Sequence, residues 1–412
     1  MKAVVLGAGG QGAPCASILA HDAEVTDIKL CDINEEMLEK VAAKISSPKL
    51  TTLVLDAGSK EDVVKAIAGY DVVIDLVSPV FFIGIMEAAL ESGVHYLNTA
   101  WEETIYEDYE EEDVKPDSKL MYFEDFKAKG KSALLGCGMC SGYASNVIAT
   151  YYVDKLDSVK SIKFRLAKKN TNVPEEEEIL KPWNPGWSPQ TALLDFVLPC
   201  YKFENGEFVL LEEPFSEPEV WEFPEPIGKQ LVTHHAHEEP FSIPQSFVDK
   251  GLEYCDFKYY VNKAIAPIVV LGLGSDEEVD IKGQKIKPID VVLNFVPQPR
   301  DSFLNEDPST FADQDKCNIV SIMIEIIGKE DGKDIKYSIH IPTMVAPRQH
   351  MYDTYGTSYI NVALPAVIGA KMIVEGAKKG VINPQDLDAE RFIQLMKDSG
   401  YNNEWEETIE YI

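Results

Sequence analysis

Between residues 3 and 135, short β-branched runs alternate with stretches whose apolar side chains recur at helical spacing. The runs at 3–6, 28–31, 52–55, 72–76, 96–97 and 133–135 read as strands, because a strand covered on both faces needs a continuous apolar run. Between them, 13–20, 35–45, 60–68, 82–92 and 122–129 read as helices, each ended by Gly or a polar turn. This rhythm predicts an α/β domain, a doubly wound parallel sheet with helices on both faces.

From about residue 161 the pattern becomes strand-like, at 162–166, 281, 286, 291–295, 319–327 and 337–341, with Pro-bearing loops between. It predicts an inserted α+β domain with a mixed, mostly antiparallel sheet. The Pro- and Glu-rich piece 204–226 reads as a surface excursion, with Trp221 and Phe223 giving it something to bury. The C-terminal stretch turns helical, and its small-residue face of Ala363, Ala366, Gly369 and Ala370 suits close packing on the first domain. The expected division is therefore 1–140 with 355–412 as one domain, and 141–354 as the second.

Composition narrows the function. The chain has 412 residues, 45% of them hydrophobic, and its 38 Lys and Arg against 69 Asp and Glu give a net charge of -31. A field of that sign repels nucleic-acid phosphates and anionic membrane surfaces, and it favours approach of a cationic small molecule. Seven Cys, an odd number with most scattered singly, make no disulfide framework and point to a reducing, cytoplasmic setting. The longest apolar stretch, 72–90, is interrupted by Asp75, Pro79 and Glu87, so no membrane span is expected. The acidic runs at 102–113, 175–178 and 404–410 read as solvated faces.

The strongest chemical signal is Gly7-Ala8-Gly9-Gly10-Gln11-Gly12, immediately after the first strand and opening the first helix. Gly7 permits the tight turn, Gly9 lets a pyrophosphate reach the backbone, and Gly12 lets the helix lie on the strand, as a Rossmann-type dinucleotide site requires. Asp32 follows at the end of the second strand, where a carboxylate accepts hydrogen bonds from ribose hydroxyls and repels a 2′-phosphate, so NAD is expected over NADP. Asp56, Val77 and Ser78 belong to strand ends on the same edge and are placed along the cofactor. Asp32 also suits the N-cap of the next helix.

Other candidates are less specific. Cys137 and Cys140 form a lone CxxC, read as a Gly-rich turn near the nicotinamide rather than half of a metal site. His234, His235 and His237, followed by Glu238 and Glu239, concentrate His in one run. On a strand, His235 and His237 share one side. They could handle a proton, bind substrate, or belong to a solvated loop, while a metal would need a further ligand from elsewhere. The catalytic expectation falls on His235, His237 and Glu238, with no metal. Among Arg165, Arg300, Arg348 and Arg391, Arg348 is the first choice to clamp a substrate carboxylate, an ion pair being the competing reading.

Taken together the chain resembles the saccharopine dehydrogenase family in its broad sense, which includes saccharopine reductases, lysine 6-dehydrogenases and carboxynorspermidine dehydrogenases. The resemblance rests on the Gly7 to Gly12 fingerprint, on Glu91-Ser92-Gly93-Val94-His95-Tyr96 leading into Asn98-Thr99, and on Leu134-Leu135-Gly136-Cys137-Gly138. Asn184-Pro185-Gly186-Trp187-Ser188-Pro189, Gly283 to Leu293 and Leu364 to Met372 extend it over most of the chain. It implies hydride exchange between a nicotinamide and a carbon-nitrogen bond of an amino acid or a secondary amine derived from one. It also implies a second domain that binds substrate and often dimerises, with Asn98 and the Cys140-Ser141-Gly142 turn near the substrate, and Cys137 and Trp187 are further candidates to bind it. Asn98 and Cys140-Ser141-Gly142 depart from the family's usual Asp and Asp-Pro-Gly, so the substrate is expected to be specialised.

Overall fold

The computed structural model describes residues 1–412 apart from 112–113, 175–176, 178–179, 182, 298, 343–346 and 402–403, and only the backbone of Glu111 and Arg300. Strands β1 (Lys2–Leu6), β2 (Asp27–Asp32), β3 (Leu50–Val54), β4 (Val72–Asp75), β5 (His95–Asn98) and β6 (Ser132–Leu134) alternate with helices. These are α1 (Gly12–His21), α2 (Glu35–Ile45), α3 (Lys60–Ile67), α4 (Phe82–Ser92) and α5 (Phe123–Ala128). The second domain holds α6 (Ile148–Val153), β7 (Ser158–Asn170), α7 (Pro189–Leu194), β8 (Cys200–Glu204), β9 (Glu207–Leu211), β10 (Glu219–Glu222), β11 (Lys229–His234), α8 (Glu239–Phe247) and β12 (Tyr254–Tyr260). It continues through α9 (Ala266–Val270), β13 (Val279–Ile281), β14 (Gln284–Ile286), α10 (Pro288–Leu293), α11 (Phe311–Cys317), β15 (Asn318–Glu330) and β16 (Lys333–Ile341). Then follow α12 (Arg348–Tyr355), α13 (Ala363–Glu375), β17 (Gly380–Ile382), α14 (Ala389–Asp398) and β18 (Glu406–Tyr411).

The first sheet runs β17-β6-β5-β4-β1-β2-β3 with every pairing parallel. Its central strands are buried on both faces because α1 and α13 cover one side and α3 and α4 the other. The small residues of α13 matter here: a Cβ on Gly369 would come 2.5 Å from the Cys137 sulfur, so only Gly lets this helix lie so close to β5 and β6. A seventh strand, β17, extends the six expected; three residues beginning at Gly380 carry too little pattern to announce a strand.

The second sheet orders as β10-β11-β12-β7-β15-β16-β18, with β8 pairing β12 and β9. The 204–226 excursion contributes β9 and β10, and Phe223 is buried as its aromatics suggested. The run expected as a strand at 291–295 is instead occupied by helix α10, started by Pro288 in its first turn, where the missing N–H costs nothing. The C-terminal stretch does not all stay with the first domain: β18 pairs antiparallel with β16. Among the described residues no helix is long and apolar enough to cross a membrane.

Candidate active site

The β1–α1 turn is shaped by its glycines. Gly7 has φ +96°, and a Cβ on Gly12 would stand 1.7 Å from the Gly7 oxygen, so α1 can begin this close to β1 only without a side chain there. A Cβ on Gly9 meets nothing within 4 Å, which leaves the backbone open on that side for a pyrophosphate. Gly10 faces the Pro299 carbonyl, and Gln11 occupies the N-cap of α1 without a side-chain cap bond. The Asp32 carboxylate accepts from Ala8 N at 2.7 Å and Asn34 N at 2.8 Å, fixing the turn to the end of β2. Asn34, rather than Asp32, caps α2, accepting from Met37 N at 3.0 Å. Asp56 and Ser78 are exposed and Val77 half-buried at the carboxyl ends of β3 and β4, so the expected cofactor residues share one edge and fit a dinucleotide.

Below that edge runs a buried polar chain. Asn98 accepts from Gly136 N at 2.9 Å and donates to the Tyr96 hydroxyl at 3.1 Å, which donates to Asp75 at 2.8 Å. Burial pushes the Asp75 carboxyl up to about 7 against the hydrogen bonds from Tyr96 and Val77 N. Asn98 is only 2% exposed and both ends of its amide are occupied, so it ties strand ends together instead of meeting substrate.

The His run gathers titratable groups. It starts at His234, the last residue of β11, passes Ala236, whose N donates to the Asp195 carbonyl at 3.0 Å, and leads into α8. His237 lies flat on Phe257, ring centroids 3.9 Å apart, and its Nδ1 is hydrogen-bonded to the fully buried Glu239 carboxylate. Glu238 stands 3.5 Å from the same nitrogen, and its other oxygen accepts from Trp101 N at 3.3 Å. Trp101 follows β5, so this bond brings the second domain's acidic run to the carboxyl edge of the first sheet. Burial works against charge on His237, but Glu239, Glu238 and Asp195 outweigh it and push its pKa up to about 9. Burial raises the Asp195 and Glu238 carboxyls, opposed by His237, and raises the Cys140 thiol with help from Glu239 and Glu238. The donors of His237, Glu238 and Glu239 lie within 4.8 Å of one another, a cation-type grouping in which His237 Nδ1 is already committed to Glu239.

Four expected residues are placed elsewhere. His235 is packed edge-on to Phe196 at 4.5 Å and beside Tyr259, and burial holds its pKa well below 6.5, so it stays neutral and is a wall rather than a proton carrier. Cys137 is buried under α13, 3.5 Å from the Pro365 carbonyl. Arg348 is spent on Asp315 at 3.0 Å and Gln314 at 3.2 Å, the ion-pair alternative. Trp187 stands 37% exposed on the turn before α7. The Arg300 side chain and parts of the acidic runs at 102–113 and 175–178 lie outside the described residues. Asp195 and Trp101 were not singled out from the sequence, and Cys140 was noted only as half of the CxxC, because nothing local marks a residue that another domain's side chain will meet.

Two family models match, the saccharopine dehydrogenase NADP binding domain over residues 3–124 and the saccharopine dehydrogenase C-terminal domain over 135–401. A carboxyaminopropylagmatine dehydrogenase from Synechocystis is 26% identical, covering 99% of this chain and 98% of its own length. A carboxynorspermidine synthase from Vibrio alginolyticus is also 26% identical, over 97% of this chain and 95% of its own length. Among solved structures, saccharopine dehydrogenase (L-Glu forming) from Saccharomyces cerevisiae superposes with a TM-score of 0.66 at 14% identity, covering 99% of both chains. Homospermidine synthase from Legionella pneumophila, solved with NAD, gives 0.60 at 15% identity, covering 100% of this chain and 91% of that one. With both halves matched, the chain belongs to the saccharopine dehydrogenase family and is an oxidoreductase acting on CH-NH groups with a nicotinamide dinucleotide.

Proposed function

We propose that this protein interconverts a carboxylated secondary amine and its imine with NAD. The observation that carries the reading is the His237–Glu239 pair, joined through Glu238 and Trp101 N to the edge of the parallel sheet on which the dinucleotide turn lies. When bound, the nicotinamide accepts a hydride from the substrate carbon or returns one to it. With Nδ1 held by Glu239, the Nε2 of His237 is left to exchange a proton with the substrate nitrogen. Burial holds the Asp195 and Glu238 carboxyls toward the neutral form, and a cationic amine or iminium beside them would draw them toward the charged one, an arrangement that favours a cation over an anion. In the oxidative direction the carbon loses a hydride and the nitrogen a proton, giving C=N, which water cleaves to a carbonyl compound and an amine.

The names of the two curated relatives describe carboxylated amines with a cationic tail, and the net charge of -31 agrees with a polycationic substrate. NAD is favoured because Asp32, Glu35 and Glu36 gather negative charge where a 2′-phosphate would sit. The test is NADH fluorescence with NAD or NADP against carboxynorspermidine, saccharopine, lysine and norspermidine. A rise with NAD on a carboxylated secondary amine supports the reading. Ammonia release from lysine would replace it with oxidative deamination, and tight NADH binding without turnover on any amine would favour a non-catalytic role.

A further inference from the structure

One face of the second sheet extends the His237 cluster. Along β7, residues 162, 164, 166 and 168 point to the side that carries α7 and α8, and 163, 165, 167 and 169 to the other. Phe164 is paired in register with Phe257, the ring on which His237 lies, and their centroids are 6.4 Å apart. Leu166 is paired with Tyr259, whose ring is 5.0 Å from His235. Lys168 comes next on the same face, four residues beyond Phe164, or about 13 Å along the strand at a rise near 3.3 Å per residue.

The environment of Lys168 is unlike that of its neighbours. Arg165, on the opposite face, is clamped by Asp256 at 2.7 and 2.9 Å and by Glu219 at 2.6 Å, and Lys163 faces Glu325 at 3.3 Å. Among the described residues Lys168 Nζ donates to the Pro185 carbonyl alone, at 3.2 Å, and no carboxylate comes within 4.0 Å of it. Burial lowers its pKa to about 8 with nothing to oppose it. The side chain is nonetheless half-buried rather than sealed, and Pro185 belongs to the turn leading into α7, which ends beside Asp195. A half-buried ammonium with no counter-charge among the described residues is complementary to an anion that arrives from outside.

We propose that Lys168 is the carboxylate anchor of the substrate site. The substrate's nitrogen meets His237 and Glu239, and its carboxylate reaches Lys168 beside the turn into α7. A descarboxy amine leaves Lys168 unpaired, so the enzyme selects the carboxylated amine. This rests on the function proposed above for the substrate class, and the geometry of Lys168 stands apart from it.

The test combines kinetics with labelling. Lys168→Met should raise KM for carboxynorspermidine by about 10- to 100-fold, the loss expected for a charge-assisted bond, with kcat and the KM for NAD within about 3-fold. Lys168→Arg should recover part of the loss. An unchanged KM in a folded Lys168→Met variant, or an undiminished preference for carboxynorspermidine over norspermidine, would overturn the proposal. In the unmodified protein, acetylation of Lys168 at pH 8 should be slowed by carboxynorspermidine, saccharopine or L-glutamate and not by norspermidine, read by peptide mass spectrometry. Protection by none of the three carboxylates overturns it as well. If no carboxylated amine is turned over, the function proposed above falls, and the labelling decides Lys168 by itself.

Discussion

His237 is stacked on Phe257 with their planes 5° from parallel, while its Nδ1 is hydrogen-bonded to Glu239. One contact fixes the ring's plane and the other its rotation, so Nε2 has a single direction in which to present a proton. The pair also fixes a pH window. Its folded pKa of about 9 lies above the ordinary 6.5, so the stability it contributes is fully present below 6.5 and lost as pH rises through 9.

Imine reduction that draws a proton from His237 should therefore hold its rate at neutral pH and fall as pH passes about 9. Glu239→Gln removes the main opposing charge, and the falling limb should move down toward 6.5. A pH–rate profile of both proteins checks this; an unmoved limb would assign the proton to another group.

The two glycines of the dinucleotide turn should fail differently. Gly9→Val should fold with little change in Tm and lose NADH affinity, because its side chain enters open space that a pyrophosphate needs. Gly12→Ala should lower Tm, since its Cβ overlaps the Gly7 oxygen at 1.7 Å. Thermal melts with and without NADH separate the two.

Asp32→Ser should narrow the preference for NAD over NADP by removing the charge that opposes a 2′-phosphate. It also shortens the acceptor for Ala8 N, so binding of both cofactors should weaken somewhat. Titrations of NADH and NADPH fluorescence give the ratio, which must change for the cofactor assignment to stand.

Arg165 and Asp256 are both almost fully buried and bonded through two parallel contacts. Asp256→Asn leaves the guanidinium partly unpaired and should cost about 3–5 kcal/mol of stability. Because the pair faces away from His237, KM for substrate should change little in whatever protein folds. Urea unfolding alongside kinetics provides the comparison.

The parallel sheet was legible because buried strands and covering helices leave different periods, and the Gly7 to Gly12 turn because its steric demands admit few residue types. α10 was not: its apolar run suits a strand or a short helix, and Pro288 decided between them. In the candidate site, His237 and Glu238 were singled out from a cluster that chance seldom produces, and the structure brings them together with Glu239. Their separation from His235 was not legible, since it depends on β11 ending at His234 and on which rings line each side chain. Arg348 misled because a cation's partner lies across space: Asp315 is distant enough in sequence to leave no local mark. Lys168 carried no signal for the opposite reason, its distinction being that no acid among the described residues stands beside it.

The last strand has a mechanical effect. The chain passes from the first sheet to the second between β6 and β7, returns between β16 and β17, and crosses again to reach β18, which is zipped to β16. A pair of jaws needs one pivot, and this molecule is laced repeatedly across the line where they would part. Opening between His237 and the dinucleotide turn must bend every lace together or peel β18 away, so substrate entry should proceed by small sliding of packed layers rather than by a wide swing.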